Sequence, residues 1–189
     1  MDDIADISYG PLTGLIGVWV GDKGVDIAPE PDGSEHNPYY ETITFTAIGD
    51  VTNAEDQVLT ALHYRQIVQR KSNDKVFHDE TGYWMWDEKE SVIMHSLTIP
   101  RAVSVLAGGV FTETKNNIEG SVVLEVHASI DDDSWKIIQS PFMEKNAKTI
   151  SFYHKITIGN GKLTYAETTN VEIYGKIFEH TDENELLRQ

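Results

Sequence analysis

The sequence predicts an all-β fold: a roughly ten-stranded antiparallel up-and-down β-barrel with a short N-terminal helical turn. Three observations predict it. Apolar and polar residues alternate with period two: Glu41, Ile43, Phe45 and Ala47 share one face of 41–47, and Thr42, Thr44 and Thr46 the other. Turn chemistry recurs between such stretches, as in Asp32-Gly33, Gly49-Asp50, Ser72-Asn73-Asp74, Asn116-Asn117, Asp131-Asp132-Asp133 and Asn160-Gly161. Helical periodicity is missing after the first residues, and closure into a barrel removes the edges that a long open meander exposes.

Residues 1–10 read as a tail. Residues 8–16 form one helical turn whose Leu and Ile plug one end of the barrel. Strand 16–22 follows, carrying Gly17-Val18-Trp19-Val20-Gly21. Segment 22–38 holds two Pro-centred stretches and few strand formers, so a long loop over the barrel mouth is expected there. Further strands are expected at 39–48, 57–70, 76–87, 90–97, 101–113, 118–130, 134–139, 148–158 and 162–177. In 150–158, Ile150, Phe152, His154, Ile156 and Ile158 alternate with Ser151, Tyr153, Lys155 and Thr157. In 163–173, Leu163, Tyr165, Glu167, Thr169, Val171 and Ile173 share a face. Asn160-Gly161 suits a two-residue hairpin, because both positions tolerate positive φ. A lone His180 follows the last expected strand. Eight strands make a barrel that side chains nearly fill, so about ten leave an interior cavity.

At 189 residues the chain is expected to be a single domain spanning 1–189. Its 15 Lys and Arg stand against 31 Asp and Glu, a net charge of −16. That charge repels phosphate backbones and anionic membranes, so no nucleic acid is expected as a partner. There is no cysteine, which excludes disulfides, thiolate metal sites and cysteine nucleophiles. The longest apolar stretch, about 102–111, is far short of a membrane helix, and the acidic N-terminus does not read as a signal peptide. A cytoplasmic protein without membrane insertion is expected, with a homodimer left open. Phosphate loop, dinucleotide fingerprint, His-Glu-x-x-His and Gly-x-Ser-x-Gly are absent. The Asp131-Asp132-Asp133 run lacks the frame of a calcium loop and reads as an acidic hairpin turn.

Four stretches, in order along the chain, resemble the nitrobindin-like heme-binding β-barrels, a fatty-acid-binding-protein-like group among the calycins. Leu15-Ile16-Gly17-Val18-Trp19-Val20-Gly21 resembles the family's opening strand. Tyr40-Glu41-Thr42-Ile43-Thr44-Phe45 is similar to its next strand. Phe77-His78-Asp79-Glu80-Thr81-Gly82-Tyr83-Trp84 is similar to the segment in which His precedes Glu-Ser-Gly. The tail from Leu163 through His180 to Leu186-Leu187 resembles the closing strand, His and leucines. The resemblance implies a calycin-like barrel holding heme b, with His180 as the iron ligand and His78 across the pocket. It also implies nitric oxide binding and peroxynitrite isomerisation wherever ferric heme is bound. The chain departs from the family where His180 sits in Phe-Glu-His-Thr-Asp-Glu-Asn, without a Pro-Leu lead-in or an immediate Leu.

An iron-ligating imidazole is neutral, rigidly held and faces an apolar cavity; the plainer reading of His180 is a polar residue at a turn. Phe77, His63, His95, His154 and Arg101 are further pocket candidates, the histidines by their parity with apolar neighbours and Arg101 as a scarce cation for a carboxylate. Each has a plainer reading too, as a satisfied core histidine or a surface charge. Binding of a small apolar or amphipathic molecule is the expected function. Heme b leads; a heme-free carrier of a fatty acid or other apolar ligand is the alternative. A heme-free enzyme using cavity His and acidic residues is a third reading.

Overall fold

A computed structural model describes residues 7–118 and 120–189; residues 1–6 of the expected tail lie outside them. A 3-10 helix (Gly10–Leu15) precedes β1 (Gly17–Gly21), β2 (Val25–Glu30), β3 (Gly33–Ala54), β4 (Gln57–Arg70), β5 (Val76–Asp87), β6 (Val92–Ile99) and β7 (Val103–Val110). Then come α1 (Glu113–Asn116), β8 (Asn117–Ile118), β9 (Ser121–Ser129), β10 (Ile137–Gln139), α2 (Pro141–Asn146), β11 (Ala147–Gly159), β12 (Lys162–Ile173) and β13 (Lys176–Arg188). The hydrogen-bonded order β7-β6-β5-β4-β3-β1-β13-β12-β11-β9 returns to β7 through Gly108 opposite His127. The result is a closed antiparallel barrel of ten strands.

The strand count matches the expectation, but the membership differs. The expected strand 162–177 is two strands: Tyr174 (φ 56°) and Gly175 (φ 73°) turn the chain, and β13 pairs back along β12. Positive φ at both central residues is the hairpin requirement that Asn160 (φ 53°) and Gly161 (φ 73°) also meet. His180 therefore lies within a strand, not after the last one. Segment 22–38 is not a loop. Its β2 pairs with β3 from Val25 opposite Pro38 to Glu30 opposite Gly33, and touches β13 at Ile27 opposite Thr181. With β1 it makes one interrupted strand between β3 and β13. Its prolines hid it, because proline demotes a strand in any sequence reading. The expected strand 134–139 shrinks to β10, which pairs with β7 outside the ring.

The helical turn plugs one end, as expected. Leu12 and Leu15 are fully buried, and the fully buried Trp19 donates its indole N–H to the Leu15 carbonyl at 2.6 Å. The Arg188 guanidinium lies over the Trp19 ring at 4.6 Å and donates to the carbonyls of Gly14 and Ile16. Gly10 (φ 51°) packs so closely on Trp86 that a Cβ there would stand 2.6 Å from the indole nitrogen. The other end stays open, and the interior divides accordingly into an apolar half under the plug and a polar half at the mouth.

Trp19→Ala removes the plug's main packing surface and its anchor. We expect it to cost about 3–5 kcal/mol in urea unfolding; a loss below about 1 kcal/mol would place the plug's stability elsewhere.

Candidate functional site

Period-two alternation decides what faces the cavity. The residues that β5 turns inward are His78 and Glu80 at the mouth, then Trp84 and Trp86 toward the plug. From β4 come Gln66 and Val68, from β12 Tyr165 and Glu167, from β13 His180 and Asp182, and from β2 Asp26 and Ala28. Tyr39, Arg70, Phe77 and Arg101 complete a cavity of about 280 Å³.

On one wall, His180 Nε2 lies 2.6 Å from Asp26 Oδ1 and 3.4 Å from Asp182 Oδ2. The other Asp26 oxygen accepts from Asn37 Nδ2 at 3.1 Å, and Asn37 Oδ1 accepts from Arg70 Nε at 3.2 Å. Burial works against charging His180, but the hydrogen bond to Asp26 and the charges of Asp182 and Asp26 outweigh it and raise its pKa. Burial pushes Asp182 up to about 6, against the pull of His180. Asp26, His180 and Asp182 are also the group among the described residues whose spacing could hold a metal ion.

On the facing wall, His78 Nε2 lies 3.5 Å from Glu80 Oε2. Burial opposes the charged imidazole there too, and Glu80 overcomes it, so His78 is raised. The buried Glu80 accepts from the Tyr64 hydroxyl, whose oxygen is 2.8 Å from His95 Nε2. Since Tyr64 gives its proton to Glu80, His95 carries its own proton on Nε2 and donates to Tyr64. Burial opposes ionisation of Glu80, but His78, His95 and Tyr64 outweigh it and hold its pKa low.

Below the cavity, His95 stacks on Trp84 with ring centroids 4.1 Å apart. Burial, with the neighbouring His154, drives His95 down to about 3, and burial drives His154 down to about 4. Both are neutral at physiological pH. Neither ring nitrogen of His154 has a hydrogen-bond partner, and His95 Nδ1 has none. His154 Nδ1 comes within 3.5 Å of Glu167 Oε2 without hydrogen-bond geometry. Burial raises Glu167 well above the usual carboxylate range, and the charges of Glu80, Asp182 and Glu41 add to the effect. Beside it, burial lifts Glu41 to about 7 even though it accepts from Asn184, Tyr165 and Gln66.

Of the sequence-derived candidates, His180, His78, Phe77 and Arg101 line the cavity. His95 and His154 are inside the barrel but beneath the cavity floor. His63 is elsewhere: Leu62 and Tyr64 point inward, so His63 is on the outer face of β4, 2.9 Å from the Thr81 hydroxyl and against Tyr83. Arg65 pairs with Asp79 and Lys155 with Glu125 on the surface. The carboxylates were the missed members. Glu167 shares its face with Leu163 and Tyr165, so a charge on an apolar face was visible; Asp26 was hidden by the loop reading of 22–38.

A family model described as THAP4-like, heme-binding beta-barrel domain matches residues 8–188. Among solved structures, the crystal structure of Rv2717c from M. tuberculosis superposes with a TM-score of 0.69 at 19% identity, covering 94% of each chain. That likeness is one of fold. No curated protein matches the sequence.

Above about pH 6.5 the cavity groups act in one direction. Raised His78 and His180 stabilise the fold fully below their unfolded-state value of 6.5, and that contribution is lost as pH rises through their folded-state values. Glu41, at about 7, and the raised Glu167 lose stability for the barrel as rising pH forces them to ionise inside it. His95 and His154 act only below 6.5, where they remain neutral while the unfolded chain protonates. The free energy of urea unfolding should therefore fall as pH rises from about 6.5 through the raised values of His78 and His180; a flat or rising profile would contradict these assignments.

Proposed function

This chain belongs to the family of THAP4-like heme-binding β-barrel domains, and we propose that its barrel mouth binds a small polar molecule, not a macrocycle or a lipid chain. The observation that carries this reading is the wall chemistry: Asp26, Glu80, Glu167 and Asp182 all face one cavity. The cavity's size supports it as well. At about 280 Å³ it lies just under the ~300–1,000 Å³ of pockets that bury a drug-sized ligand, and a tetrapyrrole needs more than that lower bound.

The residues present do not fit heme b. An axial imidazole needs a free nitrogen lone pair facing an apolar wall. His180 Nε2 is instead taken up by Asp26 at 2.6 Å, and the wall around it is acidic. Nitric oxide binding and peroxynitrite isomerisation, which the family resemblance implies only with ferric heme, are accordingly not part of this reading. A fatty acid is disfavoured by the same wall, where Ala28, Val68 and Phe77 supply the aliphatic and phenyl lining.

The second reading, heme b with His180 as axial ligand, is favoured by the family match alone. Titration of hemin into the purified protein separates the two. We expect no saturable Soret band at one-to-one stoichiometry. A sharp one-to-one band that disappears in His180→Ala, with the fold intact, would overturn the polar-ligand reading in favour of heme.

A further inference from the structure

We infer that the ligand of this cavity is a small zwitterion, its cationic end received by Glu167 on the floor and its carboxylate by Arg101 and Arg70 at the rim. This rests on the small-polar-ligand reading above and gives it a chemical class.

Most of the cavity's charged groups satisfy one another. Asp26 is held by His180 and Asn37, and Glu80 by Tyr64 and His78. Among the cavity's carboxylates Glu167 is the exception. Among the described residues it accepts no hydrogen bond, its side chain keeps 21% exposure, and it lines the cavity. Directly behind it stands His154, 6% exposed, with both ring nitrogens unpartnered. A half-buried carboxylate and the buried imidazole behind it, both without hydrogen-bond partners, form a polar pair that a bound group can complete. The group that completes Glu167 is a donor, because an ionised carboxylate offers only lone pairs. A cation is the partner that would let it ionise, because Glu167 shares the cavity with Glu80 and Asp182, has no counter-charge of its own and otherwise holds a proton. A primary ammonium supplies both.

The rim has the opposite character. Arg101 is exposed in the turn between β6 and β7 and, among the described residues, makes no ion pair. Arg70 spends one N–H on Asn37 and lies 4.5 Å from the Phe77 ring centroid, also without a carboxylate partner. Two guanidiniums above an unpaired carboxylate read a molecule with a carboxylate at one end and an ammonium at the other.

The test is a set of amine, carboxylate and two-ended probes, followed by protein NMR. n-Butylamine carries the cation alone, butyrate the anion alone, and β-alanine, γ-aminobutyrate and ε-aminocaproate both at increasing separation. One of the two-ended probes should saturate shifts at Glu167, His154 and Arg101 with an affinity about tenfold or more above either single-ended probe, the ratio a charge-assisted hydrogen bond gives. Glu167→Gln should reduce that affinity to the level of butyrate. Arg101→Gln, at an exposed turn where the fold does not depend on it, should reduce it to the level of n-butylamine. The inference is overturned if a single-ended probe binds as tightly as every two-ended one, if no probe saturates, or if Glu167→Gln changes nothing. Tight binding of butyrate alone at the cavity would leave the small-polar-ligand reading standing while the zwitterion falls; one-to-one hemin binding would remove the reading itself.

Discussion

Carboxylates inside a closed barrel have to find a proton, a cation or a hydrogen bond, and the mouth of this protein is organised by how each one does so. Taking an ionised carboxylate out of water costs several kcal/mol unless it is compensated. Glu41 draws three side-chain donors and still sits near 7. Glu80 takes a hydroxyl from Tyr64 and an imidazole from His78. Asp26 takes His180. Glu167 takes none of these and is left to hold a proton. The two imidazoles that face the cavity are thereby shifted toward the charged form, and the two beneath it, which have no carboxylate bonded to them, are neutral at physiological pH.

This arrangement separates the fold from its chemistry. The plugged ten-stranded barrel is a scaffold, and what it holds is set by a few inward positions on β2, β5, β12 and β13. The family match and the Rv2717c likeness speak for the scaffold across nearly the whole chain. At the mouth, Asp26 enters from β2 and takes the nitrogen of the imidazole that the resemblance assigns to iron. A single side chain from β2 makes His180 one half of a His–carboxylate pair.

The scaffold was legible because its signals are local. Period two in 41–47 and 150–158, the Asn160-Gly161 hairpin and the plug formed by residues 8–16 each rest on a few neighbouring residues. The two strands that were misread, β2 and β13, carry the site's Asp26, His180 and Asp182. Both are poor in the apolar alternation that betrays a strand, because one face looks into a polar cavity and the other into solvent. The polarity of the candidate site erased its sequence signal. Parity places Glu167 and Glu41 on apolar faces, but whether such a carboxylate is compensated depends on partners such as Tyr64 and Asn184, far away in sequence.

The state of the His180 imidazole is the most direct test of the account. Long-range proton–nitrogen NMR at neutral pH reads each ring nitrogen separately. The ion pair with Asp26 requires Nε2 to be protonated, and Asp26→Asn to shift that signal toward the neutral form. An unprotonated Nε2 in the wild-type protein, unmoved by Asp26→Asn, would mean that the lone pair is free for a metal and that the acidic wall does not govern this site.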